Sequence, residues 1–180
     1  MLHRIVQKLA ISVLAVIGVA LVPVAAQPDA DGALAEQMQT LFPELSHFSE
    51  KEGDPPHYRV LGAAGADGEP QLLGLAFWTT ELDPLERGFD GPIKMLVGMD
   101  TAGVLAGIVV TEHREPYGYF SVDLAEFSEQ FESKNVRDRF RVGDDVDAIT
   151  RATITVTSAS RAIRNSARRI ARAYLTPPSE

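Results

Sequence analysis

Cysteine is absent from the 180 residues. The chain therefore has no disulfide, no thiolate metal site and no cysteine-bound iron–sulfur cluster. Histidine is scarce. The four histidines, at positions 3, 47, 57 and 113, show no paired ligand spacing, which argues against a histidine metal centre. Glycine-rich nucleotide loops are missing too: neither a P-loop nor Gly-x-Gly-x-x-Gly occurs, and there is no serine-centred Gly-x-Ser-x-Gly. Positive charge is in deficit, with 17 Lys and Arg against 25 Asp and Glu. Phosphate contacts need a basic surface, so general nucleic-acid binding is disfavoured. Solubility is the plain consequence of the acidic balance.

One long uncharged apolar run is present, from Leu9 to Val22. His3, Arg4 and Lys8 precede it, and Val24-Ala25-Ala26 follows as a small-residue cleavage pattern. This reads as a secretory signal over residues 1–26, with export to the periplasm. The alternative is an uncleaved anchor that holds the chain at the membrane through residues 9–22. A run of 14 residues is short of the roughly 20 needed to span a bilayer, which favours cleavage. Without residues 1–26 the balance is 15 basic against 25 acidic side chains, or −10.

The length favours one domain with an ordinary core. Residues 27–69 read as a lead-in, with Leu34, Met38, Leu41 and Leu45 at helical spacing over residues 29–47. Pro43 weakens the last turn of that helix. Strands are expected at 57–61 and 72–80, with a Gly-rich turn at 62–70 between them. A hairpin follows, in which Ile93 to Met99 and Val104 to Glu112 flank the turn Asp100-Thr101-Ala102-Gly103. Val104, Ala106, Ile108 and Val110 read as one face. Leu105 and Val109 make the other face apolar, which suggests a central strand. Residues 121–133 suit a helix with Leu124, Phe127 and Phe131 as its stripe. A last helix is expected from about Ser158 to Leu175, with Arg161, Arg164, Arg168 and Arg172 away from the apolar face. Strands in the middle with helices around them predict an α+β domain on an antiparallel sheet.

The chemistry-bearing stretch is Asp147-Ala148-Ile149-Thr150-Arg151-Ala152-Thr153. Thr150, Thr153, Thr155, Thr157 and Ser158 cluster before a helix start, where unsatisfied N–H groups favour a phosphate. Composition alone leaves a second reading open: a strand of alternating threonines followed by a Ser N-cap.

The order Asp-x-x-Thr-x-Ala-Thr resembles the signature at which flavin transferases join FMN, through its phosphate, to a threonine hydroxyl. The usual signature is Asp-x-x-(Ser/Thr)-Gly-Ala-Thr, and here Arg151 stands in the place of the glycine. Gly88-Phe89-Asp90-Gly91-Pro92-Ile93 resembles the entry to the central hairpin of FMN-binding domains. Asp100 to Gly107 resembles their Asp-x-x-Gly-x-(Ile/Val)-x-Gly turn, and His113-Arg114-Glu115-Pro116 the His-x-Glu-Pro segment of the NosR type. Flavin subunits of ion-pumping redox complexes carry a Glu-Thr-Pro-Gly version of that last segment.

The resemblance implies an FMN-binding domain over residues 70–176 with FMN on Thr153. Asp147, Thr150, Arg151 and Ala152 fall in the transferase-recognition and phosphate neighbourhood. Arg151 either pairs with the phosphate or obstructs the transferase. Gly91, His113, Glu115 and Tyr117 are expected near the ring system, and Tyr117, Tyr119, Phe120 or Trp78 are candidates to lie against it. The implied role is electron carriage rather than stand-alone catalysis. It calls for a flavin transferase in maturation and for a membrane or periplasmic redox protein as partner. The rivals are a regulatory or assembly module with FMN loose or absent, and an exported ligand-binding domain without flavin.

Overall fold

A computed structural model describes residues 28–175. The expected signal at residues 1–26 lies outside the described residues. Helix α1 (Pro28–Leu41) leads into a short strand β1 (His47–Phe48), and β2 (Tyr58–Ala64) and β3 (Pro70–Trp78) follow. After one turn of helix, α2 (Thr79–Leu82), come β4 (Lys94–Asp100) and β5 (Leu105–Glu112). A 3₁₀ turn (Gly118–Phe120) and a short α3 (Ala125–Glu129) precede the long α4 (Thr153–Tyr174). The five strands form an antiparallel meander in chain order. The fold is α+β, as strands in the middle with helices around them predict.

Both faces of the sheet are covered, and this explains why β3, β4 and β5 are apolar on both sides. Leu75, Phe77, Met95, Val97 and Met99 face a core shared with Phe127, Phe131 and the buried side of α4. Ala76, Trp78 and Leu96 face a second core with Met38, Leu41, Phe42 and Tyr58. The helix α1 ends before Pro43, as that residue requires, and its C-terminal end packs on Gly98. A Cβ at Gly98 would lie 2.8 Å from Phe42 and 3.2 Å from Leu41.

Several expectations are corrected. The strand β5 is the sheet's edge, not its centre. It is apolar on both faces because α1 and α3 cover them, while residues 133–136 bond to its first residues: Leu105 N–H donates to Lys134 at 2.8 Å and Ser133 N–H to Leu105 at 2.9 Å. Ala106 and Ile108 do not share a face. The β4–β5 register shifts between Gly98 and Met99, so Leu105 and Ile108 both join the α4-side core, while Ala106 packs on the α1 side. The helix expected over 121–133 shrinks to α3. Phe127 and Phe131 are still buried, with ring centroids 5.1 Å apart, but Leu124 is exposed.

The hairpin turn itself follows the sequence. The Asp100 carboxylate accepts the N–H groups of Ala102 and Val104, each at 2.8 Å, and Gly103 takes a left-handed φ of 82°. Gly98→Val places two methyl groups against Phe42 and Leu41. It should lower stability by about 1–3 kcal/mol in urea unfolding. An unchanged midpoint would show that α1 does not pack there.

Candidate functional site

Glu115 organises the region around the start of α4. Its carboxylate is buried. One oxygen accepts the Phe89 N–H at 2.9 Å and the other the Asp90 N–H at 3.0 Å. The Thr155 hydroxyl, in the first turn of α4, donates to the same carboxylate. Burial alone raises the pKa of Glu115. The hydroxyl and the two N–H donors outweigh burial and hold it below the ordinary 4.5.

Glycines make room for this arrangement. A Cβ at Gly88 would collide with the Glu115 carboxylate, and one at Gly118 with the His113 ring. Gly91, buried and with φ 154°, closes the 88–91 turn by accepting the Gly88 N–H at 2.7 Å. His113 supports Glu115 from below. The Glu115 N–H donates to His113 Nδ1 at 3.0 Å, so that nitrogen is unprotonated and the ring proton sits on Nε2, which faces Asp123 at 2.7 Å.

The helix α4 starts at Thr153, five residues earlier than the sequence suggests. β-branched residues at 153–157 imitate a strand, yet helix propensities differ by only about 0.7 kcal/mol per residue. Burial of Ala152, Val156 and Ala159 outweighs that bias. Ser158 is therefore no N-cap; it lies buried inside the helix. The residue before the helix, Ala152, offers no side-chain cap, and the first turn holds no acid. The first helical bond, from Val156 N–H to the Ala152 carbonyl at 2.9 Å, leaves the N–H groups of residues 153–155 without helical partners. The Thr153 side chain is exposed there.

A cavity of about 220 Å³ opens beside this turn, lined by Phe89, Tyr117, Arg151, Ala152, Thr153, Ile154 and Thr155. Phe89 and Ile154 are 68% and 58% exposed, apolar surface that no other part of the described fold covers. Arg151 has φ 71°, the left-handed region that glycine enters freely. Its guanidinium has no hydrogen-bond or ion-pair partner among the described residues.

Of the residues expected from sequence, Arg151, Ala152, Thr153 and Tyr117 meet at this cavity. Glu115, His113 and Gly91 form the frame beneath it rather than its wall. Asp147 and Thr150 lie outside the lining; Asp147 is exposed, and its N–H donates to Gln130 at 2.6 Å. Trp78 belongs to the opposite core, and Tyr119 and Phe120 are not in the wall. Phe89, Ile154 and Thr155 are further wall residues. Phe89 was visible within the Gly88–Ile93 motif, but nothing in the sequence pairs Thr155 with Glu115.

Residues 88–168 match the family described as the FMN-binding domain, and that match supports FMN as the cofactor. Among curated proteins the chain is similar to the regulatory protein NosR of Stutzerimonas stutzeri, 27% identical over 76% of this chain and 19% of the relative. It is similar to NosR of Pseudomonas aeruginosa at 29% identity, over 79% of this chain and 21% of the relative. The chain thus spans about a fifth of the length of these relatives.

The depressed pKa of Glu115 has a defined sign. A carboxyl with a lower pKa folded than unfolded stabilises the fold above its unfolded value, and that contribution fades as pH falls through the folded value. Glu115→Gln has one acceptor oxygen where three donors converge, so it should cost about 2 kcal/mol at pH 7. The gap to wild type should narrow as pH drops below the ordinary 4.5. Urea unfolding at several pH values reads this, and a gap that stays constant into acid would contradict it.

Proposed function

We propose that this chain, whose residues 88–168 match the FMN-binding domain family, is an exported electron carrier that holds FMN by a phosphoester to Thr153. The single observation that carries this reading is the exposed Thr153 hydroxyl at an uncapped helix start, on the wall of a cavity flanked by Phe89, Tyr117 and Ile154. Bound FMN supplies one- or two-electron redox chemistry; the protein supplies tethering, orientation and tuning.

Each residue group has a separate task in this reading. The free N–H groups of residues 153–155, with the positive end of the α4 dipole, favour a phosphate. Thr153 is the acceptor hydroxyl because its neighbour Thr155 is buried and bonded to Glu115. Phe89, Tyr117 and Ile154 give apolar surface for the flat part of the cofactor. Arg151 adds charge beside the phosphate without changing the backbone path, since it already adopts the geometry of the usual glycine.

Export rests on the pattern of residues 1–26, and among the described residues no helix is long and apolar enough to cross a membrane. Maturation calls for a flavin transferase. The 180 residues hold no cysteine for an iron–sulfur relay, and in this reading electrons pass to or from a respiratory redox protein at the membrane or in the periplasm.

Co-expression with a flavin transferase in an exporting host tests the attachment. Intact mass should rise by one FMN less one water in wild type and not in Thr153→Ala. The same gain in Thr153→Ala would move the attachment elsewhere. Arg151→Gly removes the left-handed strain of a side chain and should raise stability by about 0.5–1 kcal/mol while loosening non-covalent FMN. Unchanged flavin affinity would make Arg151 a bystander.

A further inference from the structure

Charge is strongly segregated along this chain. Residues 27–133 carry 5 basic and 20 acidic side chains, a net −15, whereas residues 134–172 carry 10 basic and 4 acidic, a net +6. The fold gathers much of that positive charge on one side of α4. A groove of about 600 Å³ runs there, lined by Arg139, Arg141, Arg161, Arg164 and Arg168 together with Thr157. It continues through Arg168 to a second hollow bordered by Arg137 and Arg172.

Some charges in this strip are held by partners, and the strip is incompletely neutralised. Arg168 donates to the carbonyls of Val136 at 2.8 Å and Asp138 at 2.7 Å, which holds the 136–141 loop against α4 and leaves the positive charge in place. Arg139 pairs with Asp144 at 2.6 Å and Arg161 with Glu86 at 3.2 Å. Among the described residues Arg164 meets only the amide oxygen of Asn165, at 3.3 Å. The Arg141 guanidinium has no acid partner among the described residues, while the Arg141 N–H donates to the Asp145 carboxylate at 2.6 Å.

We propose that this arginine strip is the docking surface for an acidic face of a redox protein. The inference rests on the proposed flavin site, because Thr157 lies one helical turn beyond Thr153, about 6 Å along the axis. From Thr157 to Arg172 the strip extends about 22 Å, the scale of a protein contact rather than of a single phosphate. The reach of charge in salt decides which macromolecule fits. At physiological ionic strength screening acts over about 8 Å, so a compact acidic patch seated on the strip senses the arginines and little of the distant acids. A nucleic acid or an anionic bilayer extends further and meets the acidic remainder of the surface. A partner seated here lies beside the cavity at Thr153, and docking and electron exchange then share one contact.

Two c-type cytochromes, one acidic and one basic, serve as probes. The full chain, loaded with FMN and reduced with stoichiometric dithionite, is mixed with each ferric cytochrome. The reduced flavin gives two electrons to two ferric haems, its protons pass to solvent, and the ferrous haem absorbance reports the rate. Wild type should react faster with the acidic probe despite its own net negative charge, and that rate should fall with added salt. Arg141→Glu/Arg164→Glu should slow the acidic reaction by about tenfold or more. Lys51→Glu/Arg59→Glu makes the same change in net charge elsewhere on the surface and should slow it less than twofold.

Equal loss in both variants, or faster reaction with the basic probe, would overturn the proposal. So would binding of the wild type to phosphatidylglycerol vesicles without any preference for the acidic cytochrome. Nitrogen-15 spectra of the flavin-free full chain, titrated with the acidic cytochrome, keep the two readings apart. Shifts at residues 139–141 and 161–172 in a protein that takes up no flavin would keep the docking surface and remove the flavin site. Flavin on Thr153 without those shifts would do the reverse.

Discussion

One buried carboxylate holds the site together. Glu115 reaches three donors that lie 25, 26 and 40 residues away in sequence: the N–H groups of Asp90 and Phe89 and the hydroxyl of Thr155. Each donor lowers the energy of the charged form, and together they overcome its burial. Without them a buried charge would stand unpaired, at a cost of several kcal/mol. The requirement propagates outward. Gly88 and Gly118 must lack side chains for Glu115 and His113 to fit. His113 must keep Nδ1 unprotonated to accept the Glu115 N–H. The result is that three separate segments, the 88–91 turn, the 113–118 segment and the first turn of α4, are fixed relative to one another, and the Thr153 hydroxyl is presented at their junction.

The sheet gives that junction its rigidity. Its five strands follow in chain order, so the turns that build the site come from the ends of β4, β5 and the approach to α4. Cores on both faces hold β4 between α1 and α4. The long helix then differs along its length. Its first turn offers N–H groups without helical partners beside apolar surface, and its later turns offer arginines. Segregation of charge between residues 27–133 and 134–172 concentrates positive charge there in an acidic protein.

Much of this was legible in the sequence where a local rule acts alone. The hairpin around Asp100–Gly103 follows from turn chemistry, and the α+β class from the order of elements. The left-handed φ of Arg151 is what the displaced glycine of the motif implies. The misreadings share a cause, which is tertiary context. Apolar residues on both faces of β5 suggested a central strand, but an edge strand covered by helices on both faces has the same pattern. The threonine run at 153–157 suggested a strand, and packing of Val156 and Ala159 made it a helix. For His113 and Glu115 the motif identifies which residues gather: neither lines the cavity at Thr153, but Glu115 accepts the Thr155 hydroxyl and His113 accepts the Glu115 N–H.

We propose that the first turn of α4, held by Glu115, is where the flavin phosphate ends as a diester on Thr153. Phosphorus NMR of the loaded protein across a pH titration tests it most directly. A phosphate monoester has a second pKa of about 6 and its resonance moves through that region, whereas a diester has no such step. A phosphoester to Thr153 should give a flavin phosphorus signal whose position stays constant from about pH 5 to 8. A signal that titrates near neutrality would show a free monoester and contradict the linkage to Thr153.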